Sequence, residues 1–153
     1  MEHDPGTAEA LRLIDNVARD AIRDGRARIS VEHSDGVGGW LISLTPTNPR
    51  ACAVSLAADH PPQMIMWLGP EPTRASYEFW RDDWPENLAR LRERLEAVIA
   101  GRYEQSVETR KRNSIEITGR FDLPGGVETF QEATRATGAV KPGETYTLRF
   151  EPY

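Results

Sequence analysis

The stretch DWPENLARLRERLEAVIAGRYEQSVETRKRNSIEITGRF, residues 83–121, reads as one helix followed by one β-hairpin, and it decides the fold class. Asp83 is placed to cap, Pro85 and Glu86 suit a first turn, and Asp83 and Glu86 stand at capping-box spacing. Leu88, Leu91, Leu95, Val98 and Ile99 recur at steps of three and four, and Gly101 sits where a helix C-terminus favours a left-handed residue. Tyr103, Gln105, Val107 and Thr109 then alternate with charged or polar residues. Lys111, Arg112 and Asn113 interrupt the alternation, and Ile115, Ile117, Gly119 and Phe121 resume it.

Working outward toward the start, residues 1–6 read as a frayed tail. Thr7 is the expected N-cap of a helix whose apolar stripe is Leu11, Ile14, Val17, Ala18, Ala21 and Ile22, ending near Gly25. The period then changes from about 3.6 to 2. Ala27, Ile29, Val31 and His33 share one face of a strand, Ser34 to Gly39 is a hairpin connection, and Trp40 to Leu44 returns. A turn at residues 45–50 leads to a strand over Ala51–Leu56. Asp59-His60-Pro61-Pro62 turns again into Gln63–Leu68, which is apolar on both faces and so belongs inside a sheet. Thr73 to Arg81 reads as short helical or irregular chain. Beyond the hairpin, Asp122–Gly126 is a loop, Val127–Phe130 a short strand, Gln131–Gly143 an exposed loop, and Tyr146, Leu148 and Phe150 mark a last strand.

The sum predicts an α+β two-layer sandwich. Its sheet is mostly antiparallel, of about six or seven strands, with two amphipathic helices on one face and the whole of residues 1–153 in a single domain. Hydrophobic residues at 39% and charged residues at 28% belong to a folded chain rather than a disordered one. A formal net charge of −5 disfavours general nucleic-acid binding, which needs a concentrated basic surface, and fits better with a partner that carries basic surface. The acidic, polar start lacks the features of a secretory signal, and the longest apolar runs are too short to cross a bilayer, so a cytoplasmic protein with no membrane partner is expected.

Cys52 is the single cysteine, which leaves neither an internal disulfide nor a cysteine cluster for zinc. A His33–Cys52 pair has the chemistry of a thiolate activated by imidazole. Cys52 shares its face with Val54 and Leu56, however, and is expected to be a core filler. Glu78, Asp82, Asp83 and Glu86 are dense enough in carboxylate to attract a hard cation, but Asp83 and Glu86 are explained by the helix start. No EF-hand, His-Glu-x-x-His, phosphate-loop or Gly-x-Ser-x-Gly pattern is present, and Gly36-Val37-Gly38-Gly39 is too short for a dinucleotide fingerprint. No catalytic residue, cofactor or metal is assigned.

Aromatic residues are densest around Trp67, Tyr77, Phe79, Trp80 and Trp84. Flanked by arginines and carboxylates, the segment from Arg74 to Asp83 has the composition of a binding hot spot, and Arg74, Tyr77, Trp80, Arg81 and Asp82 are the candidate contact residues. The hairpin tip Arg110-Lys111-Arg112 is a second candidate. Size, acidity and two-layer build resemble those of small bacterial immunity proteins, which bind and block toxin domains. The expected function is therefore a non-enzymatic interaction domain with a protein partner, of the toxin-neutralising kind. The alternative is a small enzyme or ligand-binding domain with a pocket between sheet and helices near His33, Trp40, Cys52 and Trp67.

Overall fold

Asp83 caps the central helix as its position predicts: its side chain accepts the Glu86 backbone N–H at 3.2 Å, and the helix runs over Trp84–Ile99 (α3). The computed structural model describes residues 3–60, 63–79, 82–136 and 138–153. Two short helices (α1, Pro5–Val17; α2, Arg19–Arg23) precede five strands: β1, Ala27–Ser34; β2, Gly39–Pro46; β3, Val54–His60; β4, Gln63–Leu68; β5, Ala75–Phe79. After α3 come β6 (Tyr103–Thr109), β7 (Ser114–Leu123), β8 (Gly126–Arg135) and β9 (Thr145–Arg149). The α+β class and antiparallel pairing hold.

The strands do not form one sheet of six or seven. They form two sheets, ordered β1-β2-β3-β4-β5 and β8-β7-β6-β9. Two segments account for the difference. Residues 75–79 are extended because Ala75, Tyr77 and Phe79 alternate, buried, with Ser76 and Glu78. Residues 126–135 continue the strand expected to stop at Phe130, with Glu128, Phe130, Glu132 and Thr134 facing inward against β7.

At the start of the chain, Asp4 rather than Thr7 is the cap. Its carboxylate accepts the Thr7 N–H at 2.9 Å and the Thr7 hydroxyl at 2.6 Å, so Pro5 and Gly6 are helical instead of frayed. The expected single helix is also interrupted at Ala18.

One core serves both sheets. The inner face of the first sheet (Ile42, Leu44, Val54, Leu56, Met64, Met66, Leu68) meets Ala10 and Ile14 of α1 and Leu91, Leu95 and Val98 of α3, and the same cluster continues into Tyr103, Val107, Ile115, Ile117 and Phe121 of the second sheet. Gly119 makes room there: a Cβ at that position would run into the ring of Phe130, its cross-strand neighbour, so the ring can lie over β7 only because no side chain is present. Gly101, with φ of +73° and Pro152 against it, ends α3 and turns the chain into β6. Residues 151–153 tie the second sheet back to the first through a parallel bridge between Ala51 and Glu151 and through the Tyr153 hydroxyl, which donates to the Cys52 carbonyl at 2.6 Å. Among the described residues, no helix is long and apolar enough to cross a membrane.

Leu95 is 1% exposed at the centre of this shared core. Leu95→Ala should cost about 2–5 kcal/mol in urea melts, since a leucine cavity between two sheets cannot collapse freely. Near-wild-type stability would mean that α3 does not organise the core.

Candidate functional site

Arg94 comes from the third turn of α3 and is only 4% exposed, so its guanidinium must find acceptors inside the protein. It finds them on both sheets. Nη2 donates to Glu128 Oε2 of β8 at 2.7 Å, and Nε donates to Glu128 Oε1 at 3.1 Å and to the Tyr77 hydroxyl of β5 at 2.9 Å. Tyr77 donates its own proton to Glu128 Oε1 at 2.7 Å, and Arg90 Nη2 donates to the same hydroxyl at 2.7 Å. The Tyr77 ring meets Phe79, Phe121 and Phe130 edge-on, with centroids 4.9–5.5 Å apart.

Burial alone would raise the Glu128 carboxyl. The hydrogen bonds from Arg94 and Tyr77 outweigh it and hold the group below the ordinary glutamate value. Burial, then the bond to Glu128, push the Tyr77 phenol up, so Tyr77 stays a neutral donor.

Above this joint lies an open cleft of about 520 Å³ lined by Ser76, Tyr77 and Glu78 of β5 and by residues 128–132 of β8. Glu132 spans it: one carboxylate oxygen accepts the Ser76 backbone N–H at 2.6 Å and the other the Ser76 hydroxyl at 2.8 Å. Next to the cleft, the outer face of the first sheet carries Leu41, Ala57, Ile65 and Trp67, partly exposed, and the Arg74 guanidinium lies 5.8 Å from the Trp67 ring centre.

The sequence-derived contact residues are thus divided. Arg74 lies on the outer face, bonded to Glu71 at 3.4 Å; Asp82 is exposed before α3; Trp80 and Arg81 lie outside the described residues. Tyr77, 6% exposed, is a core residue and the floor of the cleft rather than a free contact side chain. Arg110, Lys111 and Arg112 are exposed at the hairpin tip, where Arg110 pairs with Glu116 at 2.7 Å.

His33 and Cys52 do not meet. His33 pairs with Trp40 at the far end of the β1–β2 hairpin, whereas Cys52 precedes Val54, the partner of Leu44; six residues of strand, about 20 Å, separate the two levels. Cys52 is fully buried and burial pushes its thiol up to about 12, while His33 is exposed beside Asp35. Trp67 faces the side of the sheet opposite to Cys52, so the pocket expected near His33, Trp40, Cys52 and Trp67 is not formed. Among the described residues no group of His, Cys, Asp or Glu is arranged to hold a metal ion.

Glu128 and Glu132 were missed because charged residues on an inward face contradict the usual alternation. Their period of two with Phe130 and Thr134 was the available signal. No protein-family model, curated protein or solved structure matches this chain.

Because Glu128 is held below its ordinary value, its contribution to stability is complete above the unfolded glutamate pKa of about 4.3 and is lost as pH falls through the folded value. Glu128→Gln should cost about 2–3 kcal/mol at pH 7, less than for a fully buried pair because water reaches part of the carboxylate. The difference from wild type should shrink in urea melts at pH 3. A difference independent of pH would contradict the ion-pair assignment.

Proposed function

We propose that the protein is a non-enzymatic interaction domain that binds a protein partner through the outer face of its first sheet and the adjoining β5–β8 cleft. One observation carries this reading. Among the described residues, the core side chains of α1 and α3 (Ala10, Ile14, Leu91, Leu95, Val98) pack on the inner face of the first sheet, and the opposite face presents Trp67, flanked by Ser55 and Ser76, next to the apolar row Leu41, Ala57 and Ile65 and beside a carboxylate-lined cleft, the mixture of aromatic anchor and polar rim used by protein interfaces.

Trp67 is the aromatic anchor of this surface, with the Arg74 guanidinium 5.8 Å from its ring centre. The net charge of −5 supports a partner with basic surface and argues against phosphate-rich partners. Neutralisation of a toxin in a bacterial cytoplasm is the form of this function that size and acidity favour.

Affinity capture from the source cells, followed by titration of the purified pair, tests the proposal. Wild type and Glu93→Lys, on the exposed side of α3, should retain the same partner, and Trp67→Ala should weaken it by at least about 2 kcal/mol with little change in the urea midpoint. Equal affinity for wild type and Trp67→Ala, or loss of the partner with Glu93→Lys alone, would place the interface elsewhere.

A further inference from the structure

The last strand of the first sheet has an open edge. The Ser76 N–H points away from β4, since it donates across the cleft to Glu132. Backbone groups of alternate residues in a strand point to the same side, so Ser76 and Glu78 both present N–H and C=O to the cleft. The opposite wall is also an edge. Arg110 N–H bonds to the Ser114 carbonyl and Asp122 N–H to the Arg102 carbonyl, so the even-numbered residues of β7 bond to β6 and the odd-numbered ones to β8. Their partners in β8 are even-numbered, which turns the backbone groups of Thr129 and Gln131 away from β7. Among the described residues no backbone hydrogen bond joins β5 to β8.

Open edges attract strands, and proteins blunt them. Here the blunting is done by one side chain: Glu132 occupies the position where the carbonyl of a neighbouring strand would accept the Ser76 N–H. It does so with a charge left over, because among the described residues neither Glu132 nor Glu78 forms an ion pair. Glu128, by contrast, is matched by Arg94.

We propose that the β5 edge is a strand-addition site for an extended segment of a protein partner bearing lysine or arginine at alternate positions. This rests on reading the protein as a protein-binding domain, and it names the partner's chemistry. A carbonyl of the incoming segment takes the Ser76 N–H, and Glu132, released, pairs with a cation of the segment while Glu78 pairs with the next. β5 is five residues long, so about five residues of the segment engage. The nearest Cα atoms of β5 and β8 lie within 8 Å, short of the roughly 9.6 Å that a strand bonded on both sides needs. Strand addition at β5 therefore requires Glu132 to leave Ser76 and β8 to draw back from that edge.

Selection of a random dodecapeptide library on the folded protein at low salt, followed by hydrogen exchange with the synthetic winners, tests this. Winners should carry basic residues at alternate positions without internal proline, should protect the Ser76 and Glu78 amides, and should lose at least tenfold in affinity on alternate N-methylation. Glu78→Lys, at an exposed position, should also lose at least tenfold while keeping the wild-type urea midpoint, and 0.5 M salt should weaken binding to wild type. Absence of enrichment, winners without basic residues, or winners that bind wild type and Glu78→Lys equally would overturn the proposal. Unchanged exchange at Ser76 with a Trp67-dependent protein partner would overturn strand addition alone and leave the interaction-domain reading in place.

Discussion

A guanidinium cannot be carried into a protein interior without acceptors and a counter-charge, and Arg94 is 4% exposed. The rest of the structure is arranged around that constraint. The counter-charge comes from Glu128 on one sheet and the neutral acceptor from Tyr77 on the other, so the helix that carries Arg94 fixes both sheets at once. An apolar replacement would fill the same volume, but it would offer nothing to Glu128 or Tyr77 and so would not fix which residue of β8 stands opposite which residue of β5. The ion pair does, and the position of the cleft above it follows.

The same constraint explains why two sheets share a core without becoming one sheet. Phe130 and Glu128 reach over the side of β5, and the Tyr77 ring fills the space between them. Strand edges that would otherwise pair are kept apart by side chains. What remains is an edge whose Ser76 N–H is held by Glu132 and whose Glu78 is exposed beside the cleft.

The parts of this arrangement set by local rules are legible in the sequence. Asp83, the leucine stripe and Gly101 specify α3, and the alternations after Tyr103 and Ser114 specify the β6–β7 hairpin, because caps, periods and turns act within a few residues. The parts set by long-range partners are not. β5 has three inward residues between outward polar ones, too short to separate from irregular chain. β8 carries glutamates inward, which only Arg94 and Ser76, 34 and 56 residues away along the chain, make acceptable. For the same reason Tyr77, an aromatic in a charged segment, reads as a contact residue until its hydroxyl is found between Arg94 and Glu128. Within the segment Arg74–Asp83, Arg74 borders the outer face, and Ser76 and Glu78 line the cleft.

Arg94 is the joint between the sheets. Trp40, Trp67 and Trp84 belong to the half of the chain before the second sheet, as does Trp80 in sequence, so tryptophan fluorescence and the exchange of Val107 and Ile117 amides follow the two halves separately. In wild type, denaturant should unfold both in one transition with one opening free energy. In Arg94→Met, the second-sheet amides should exchange at a lower free energy than the fluorescence transition reports. Coincident transitions in Arg94→Met would contradict the claim that this side chain couples the two sheets.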